Sequence, residues 1–173
     1  MLGTAHIAIA LGVALWCTPC GTVAQDARLT SDRFIKEAIQ ANLAEIQFGR
    51  LAREKGATRA VRQLGIRLVN DQQSANEDAV LAARHMDVAA PQTPNSRQVA
   101  AYGKLGRLSG ESFDREFIQA ELKDDERDIA LYDYEAGHNS GPAASYAEET
   151  LYELEEHRKM AEDAEREEQP RRG

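Results

Sequence analysis

Apolar residues recur at steps of three and four positions in four long segments of this 173-residue chain. That spacing places them on one face of an α-helix. Good helix formers such as Ala, Leu, Glu, Gln and Arg are abundant, and runs of β-branched residues are nearly absent beyond position 25. The pattern therefore predicts an all-α fold, with long helices at about 31–56, 58–87, 112–137 and 142–166.

Residues that begin or end helices stand at the borders of these segments. The predicted caps and breaks are Thr30 or Ser31, Gly56, Thr58, Asp87, Pro91, Pro94, Ser112, Gly137 and Pro142. A short helix is predicted at 97–108 in the longer middle connection, and the tight links at 56–58 and 138–141 predict antiparallel neighbours. Amphipathic helices joined in this way favour an antiparallel four-helix bundle with a short extra helix in the middle connection.

The N-terminal segment has the pattern of an export signal. Residues 6–16 form an apolar run that is too short to cross a bilayer of ~30 Å, and small residues follow it up to Ala24. We therefore expect a signal peptide at 1–24, cleaved before Gln25, and a periplasmic domain at 25–173. Lipidation at Cys17 or Cys20 is the alternative. The C-x-x-C spacing of these cysteines is not interpreted as a redox or metal motif, because it falls inside the export segment.

The chain is acidic, with 29 Asp and Glu against 21 Lys and Arg and a net charge of −8. This balance argues against nucleic acid as a partner, because binding to phosphates requires a basic face. No G-x-S-x-G motif and no Gly-rich phosphate loop is found, so catalysis is not predicted. The mature domain is expected to have no transmembrane span. An envelope protein is the partner class considered, and the oligomeric state is not predicted.

Polar residues interrupt the apolar face of each long helix once. Glu45, Gln72 (with Asp71 beside it), Asp125 and His157 each stand about halfway along a helix, so they are expected near one level of the domain. Two carboxylates and an imidazole suit a divalent metal such as Zn, Fe or Mn, with Gln72 or Asp71 completing the ligand set. The alternative is a buried hydrogen-bond network with no metal. Both interpretations remain open from the residues alone.

Two further positions with histidine, His138 and His85, do not predict a metal site. Di-iron proteins of the helical-bundle type use Glu-x-x-His on two helices, and the one such spacing here, Glu135 to His138, falls across a predicted helix end. His85 lies near the end of the second helix, where a surface histidine suits the helix dipole.

Four segments of the chain resemble one family. They are residues 34–38 (FIKEA), 44–52 (AEIQFGRLA), 105–114 (LGRLSGESFD) and 151–157 (LYELEEH). The Leu-Ser-Gly-x-x-Phe-Asp element of the third segment is the most specific. On these segments the chain is similar to the ferritin-like family called domain of unknown function 4142, over about residues 34–165. The resemblance implies export, a ferritin-like four-helix bundle and no established activity.

The resemblance also bears on the polar positions. It implies Glu at position 45 and His at position 157, which this chain has, and His at positions 72 and 125, where it has Gln72 and Asp125. Two hypotheses follow. The first is a non-catalytic periplasmic bundle that binds a protein or another envelope component, for instance during stress. The second is a metal-binding relative of ferritin with a core site from Glu45, Asp125 and His157.

Overall fold

The computed structural model describes residues 21–168, with side chains from residue 30 onward. In that part of the chain there are five α-helices and no strand. The helices are α1 (Gly21–Lys55), α2 (Arg59–His85), α3 (Ser96–Leu105), α4 (Gly110–His138) and α5 (Pro142–Glu168). The predicted all-helical fold is confirmed, and α3 is the short helix expected in the middle connection.

The first helix begins earlier than predicted, at Gly21 rather than at Thr30 or Ser31. Residues 21–29 include Ala, Gln, Arg and Leu and no proline, so nothing in them ends a helix. Ser31 is therefore an interior residue of α1. Its hydroxyl donates to Glu135 Oε1 of α4 at 2.6 Å, which ties the two helices together.

Most of the proposed signal peptide, residues 1–24, lies outside the described residues. So do Cys17 and Cys20. Residues 21–24 belong to α1. Export, cleavage and lipidation therefore stay predictions.

The other helix ends match the predicted signals in part. Thr58 caps α2, with its hydroxyl accepting from the Val61 N–H at 3.2 Å, and Pro142 opens α5 as predicted. The helix expected to be capped by Ser112 begins sooner, at Gly110. Gly110 has a φ of 63°, and this left-handed conformation lets the chain turn into the helix before Ser112.

The four long helices pack around a shared interior. α1 lies chiefly against α2, α4 against α5, and α2 against α5, whereas the direct contact between α1 and α4 is small. Gly49 and Gly65 let α1 and α2 approach closely, because a Cβ at Gly65 would lie 2.6 Å from the Gly49 carbonyl oxygen. Pairs of glycines at such a crossing bring two helix backbones together without a side chain between them.

Candidate functional site

A layer of polar side chains divides the hydrophobic core into two parts. One part contains Phe34 and Tyr132, and the other contains Phe48 and Phe117. The buried polar side chains at the boundary are Glu45, Gln72, Glu121, Asp125, Asp128 and His157. We call these six side chains the polar layer. Each long helix passes from one hydrophobic part to the other at this point, so the polar layer crosses the core.

Three carboxyl groups of the polar layer act on one another. Glu45 of α1 faces Glu121 and Asp125 of α4, whose charges are the strongest acting on it. Gln72 of α2 joins this group, since its Nε2 donates to Glu45 Oε2 at 2.5 Å. All four side chains are at most 7% exposed, so water cannot solvate them fully. Burying a carboxylate in this way is costly unless a cation or a proton neutralises it.

A fourth carboxyl group, Asp128, has a cation in contact. Arg127 lies 2.9 Å from Asp128 through Nε and 2.9 Å from Asp124 through Nη1. Both acids and the arginine belong to α4, so the helix itself supplies the cation at this end of the polar layer. Within the described residues, no Lys, Arg or His forms an ion pair with Glu45, Glu121 or Asp125.

Burial raises the pKa of every carboxyl group in the polar layer. The pKa values of Glu45 and Glu121 lie well above the usual range, because desolvation penalises the charged form and the neighbouring acids repel it. Burial, with the charges of Asp128 and Asp124, raises the pKa of Asp125 to about 8. The pKa of Asp128 is also raised, chiefly by burial. Burial therefore favours the protonated form of these carboxyl groups.

Within the polar layer, His157 is hydrogen-bonded separately from the four acids. Its Nε2 lies 2.8 Å from Asp71 Oδ2, and Arg67 approaches the same oxygen at 2.5 Å. Burial lowers the pKa of His157, and the bond to Asp71 only partly opposes this. Burial therefore favours the neutral form of the imidazole. Since Nε2 faces a carboxylate, it carries the proton, and Nδ1 is left as an acceptor.

Three atoms of the polar layer are buried without a hydrogen-bond partner among the described residues. They are Gln72 Oε1, Asp125 Oδ2 and His157 Nδ1. Such orphaned atoms are rare in folded proteins and call for an explanation, such as a proton, a water molecule or an ion. All three belong to residues that the sequence singled out.

The five predicted site residues do not form one set. The structure brings Glu45, Gln72 and Asp125 together, whereas His157 bonds to Asp71 and makes no described hydrogen bond to the other three. In residues 21–168, no group of three or more His, Cys, Asp or Glu side chains is placed to hold a metal ion in the observed conformations. The predicted ligand set thus does not fit a metal without side-chain rotation.

Sequence reasoning missed Glu121 and Asp128. They lie four positions before and three positions after Asp125, which is the spacing of one helix face. That regularity was the available signal. The spacing alone does not show that these two side chains are buried, because acidic residues on a helix are usually solvated.

The Glu135-x-x-His138 spacing does not form a site. Glu135 is buried and accepts from Ser31 and from Asn139 Nδ2, the latter at 2.8 Å. His138 is exposed and stacks on Tyr134, with ring centroids 4.4 Å apart. The two side chains therefore point to different surroundings. His85 is exposed in the last turn of α2, as expected.

Buried neutral groups adjoin the acidic side of the polar layer. Asn42 Nδ2 donates to the Tyr146 hydroxyl at 2.9 Å, and the Tyr132 hydroxyl lies 3.3 Å from the same oxygen. Burial raises the pKa of both tyrosines, so both stay protonated. Tyr132 and Tyr146 stand at helical spacing from apolar residues, and that spacing gives no sign of Asn42, the polar partner of Tyr146 on α1.

These observations define an all-helical protein with an acidic layer in its core. None of the helices within residues 21–168 combines the length and the apolar character needed to span a membrane. The family model described as "Domain of unknown function (DUF4142)" matches residues 18–164, so the chain belongs to this family and the suspected resemblance is confirmed. No curated protein and no solved structure gives a significant match to the chain.

Proposed function

We propose that the chain is an exported, ferritin-like four-helix bundle of the periplasm that acts as a non-catalytic envelope protein, and that its polar layer takes up protons. The packing of α1 on α2, α4 on α5 and α2 on α5 supports the bundle. The observation that carries the proton uptake is the burial of Glu45, Glu121 and Asp125 side by side without a contacting cation. A fold that stores protons in this way gains stability as its surroundings become more acidic, which suits a role in envelope stress.

The charges that face the polar layer from the surrounding helices do not balance its acids. These groups are Arg67 and Asp71 on α2, Arg97 on α3, Asp124 and Arg127 on α4, and Glu156 and Arg158 on α5. Arg67 and Arg127 are already paired with Asp71, Asp124 and Asp128. Arg158 acts on Asp125 only as a weaker, opposing influence. Protons are therefore the simplest means of neutralising the layer.

The direction of the pH dependence follows from these shifts. Carboxyl groups with a raised folded pKa stabilise the fold fully below their unfolded pKa of about 4, and lose that effect as pH rises through the folded value. For Asp125 the loss therefore falls between about pH 4 and about pH 8. His157 acts in the opposite sense, because its lowered pKa removes stability as pH falls through the folded value. The free energy of unfolding should therefore fall as the solution becomes alkaline.

Urea unfolding across a pH series tests the proposal. Between about pH 6 and about pH 9, the wild-type free energy of unfolding is expected to fall, and Glu121→Gln should flatten the curve. Glu126→Gln is the matched control, since Glu126 is an exposed acid on the same helix. A wild-type curve that rises with pH, or equal flattening by both variants, would contradict proton uptake.

A second candidate function is the binding of a divalent cation by the same layer. The orphaned Gln72 Oε1 and Asp125 Oδ2 favour it, because carboxylate and amide oxygens suit a hard cation such as Mn²⁺. Glu45, Gln72 and Asp125 would hold the ion after rotating toward one another, and would replace protons with a bound charge. His157 would stay with Asp71.

Elemental analysis of protein purified without an affinity tag, followed by Mn²⁺ titration at about pH 8, separates the two candidates. One ion per chain, lost in Glu45→Gln but kept in Glu126→Gln, would establish the cation site and refute a layer neutralised by protons alone. Substoichiometric metal with no Mn²⁺ uptake would exclude the cation site. A His157→Ala variant should leave any uptake unchanged, because His157 lies apart from the acids.

Export has its own test. N-terminal sequencing of the protein recovered from an envelope fraction should find a chain that starts at Gln25. A chain that starts at Met1 would contradict the signal peptide, and a lipidated Cys17 or Cys20 would favour the alternative of a membrane anchor.

A further inference from the structure

A cavity of about 340 Å³ opens where the contact between α1 and α4 is small. Its walls come from the N-terminal half of α1, the start of α3 and the C-terminal half of α4. This volume lies at the lower end of the range for small-molecule pockets, which is about 300–1,000 Å³. A smaller cavity of about 50 Å³ shares Arg97, Gln98 and Arg127 with it and reaches Glu45. Asp128 lines the larger cavity, so this space adjoins the polar layer from outside.

Three arginines line the larger cavity, and two of them already have partners. Arg33 bonds to Glu37 at 2.7 Å, and Arg127 bonds to Asp128. Arg97 is exposed and makes no hydrogen bond or ion pair within residues 21–168; its charge reaches Asp128 only over a longer distance. Arg97 is thus a surplus positive charge in the cavity of a chain whose net charge is −8.

The start of α3 adds to this positive charge. Asn95 caps the helix, and its Oδ1 accepts from the Gln98 N–H at 3.0 Å while Gln98 Oε1 accepts from the Asn95 N–H. The backbone N–H groups of Ser96 and Arg97 have no intrahelical acceptor, as in the first turn of any α-helix. The positive end of the helix dipole lies at the same wall of the cavity as the Arg97 guanidinium.

The remaining walls suit a short carbon chain. Ala38, Ala41 and Leu131 present small apolar surfaces between the charged ends, and Tyr132 is almost fully buried behind them. A guanidinium binds a carboxylate through two parallel hydrogen bonds, which a rigid planar donor favours.

We propose that this cavity binds a small organic acid. Its carboxylate is held by Arg97 and the start of α3, and its carbon chain lies against Ala38, Ala41 and Leu131. Arg33, which is exposed and paired with Glu37, lines the same cavity, so succinate, with a carboxylate at each end of a short carbon chain, is the probe. The proposal does not rest on whether the polar layer holds protons or a cation, although Asp128 of that layer also lines the cavity.

Calorimetric titration of the full chain with succinate, at constant ionic strength, tests the proposal. We expect a Kd of about 1 mM or tighter, and a loss of at least about tenfold in Arg97→Gln. Arg107→Gln is the matched control, because Arg107 is an exposed arginine just beyond α3 that does not line the cavity, and it should leave the Kd unchanged. Far-UV circular dichroism should show that both variants keep the wild-type helix content.

Two further probes identify the chemistry of the ligand. Succinamide has the same carbon chain without charge, and it should bind at least tenfold more weakly, which is about 1.4 kcal/mol. Inorganic phosphate should also bind more weakly, because it cannot use the apolar wall. The proposal is overturned if succinate binds no tighter than succinamide, if phosphate binds as tightly as succinate, or if both arginine variants weaken succinate equally.

Discussion

The two ends of the buried face of α4 differ from its middle in how their acids are bonded. Asp114 near the start and Glu135 near the end are as buried as Glu121 and Asp125 between them, with all four at most 3% exposed. Asp114 accepts from the Ala57 N–H and the Thr58 N–H at 2.8 Å each, and Glu135 accepts from the Ser31 hydroxyl and the Asn139 amide. Glu121 and Asp125 have no such described donors.

This difference shows that burial alone does not decide what a carboxylate does in a helical core. Where the chain offers N–H or O–H donors, the charge is stabilised and the acid fastens two elements together, as Asp114 fastens the link between α1 and α2 to α4. Where it offers none, the acid holds a proton or recruits a cation. One face of one helix therefore carries structural acids at its ends and a candidate binding site at its middle.

The largest expected effect is on a structural acid. Asp114→Asn should lower the free energy of unfolding by about 2–3 kcal/mol, because two backbone N–H groups then share one neutral acceptor and an amide N–H₂ faces them. Urea unfolding at neutral pH measures the change. Asp133→Asn is the control, since Asp133 is exposed on the same helix, and it should lie within about 0.5 kcal/mol of wild type. Equal losses in both variants would mean that the N–H bonds of Asp114 contribute nothing.

The sequence predicts the helices more completely than it predicts which buried acids of α4 have hydrogen-bond donors. Apolar spacing and the Thr58 and Pro142 signals locate α2 and α5 because periodicity and capping act within one helix. The start of α1 was missed because a capping residue such as Ser31 has no effect when helix formers precede it. Asp114 and Glu121 look alike in sequence, since their donors come from other parts of the chain. Partners of that kind become known only when the helices are packed.

The same reason explains how far the candidate site could be predicted. Interruptions of the apolar faces identified Glu45, Gln72 and Asp125, which do meet, because a polar residue on an inward face must be buried. The same rule included His157, but its partner proved to be Asp71 on α2. A level along the domain axis can be estimated from helix length, whereas the rotation of each helix about its own axis cannot be estimated as closely.

The second-largest expected effect is a gain in the free energy of unfolding rather than a loss. Asp125→Asn is expected to raise the free energy of unfolding by about 1–2 kcal/mol at about pH 9, because wild type must then ionise a buried acid and the amide need not. Below about pH 4 the difference should disappear, since the Asp125 carboxyl group is then protonated in both the folded and the unfolded wild type, its folded pKa being raised to about 8. Urea unfolding at both pH values, without added metal, measures this. A loss of stability at pH 9 as large as that of Asp114→Asn would erase the distinction between the middle and the ends of α4.

The smallest expected effect concerns Glu135, near the C-terminal end of α4. Glu135→Gln should cost about 1 kcal/mol, because Gln keeps one oxygen as an acceptor while its amide nitrogen cannot accept from Ser31 or Asn139. A double-mutant cycle with Ser31→Ala isolates the bond between α1 and α4, and it should give a coupling free energy of about 1 kcal/mol. Asn139 lies on the same helix end as Glu135, so its bond does not enter that coupling. A coupling near zero would leave Glu135 bonded only within its own helix end, and Asp114 would then be the one buried acid of α4 that fastens separate elements through described hydrogen bonds.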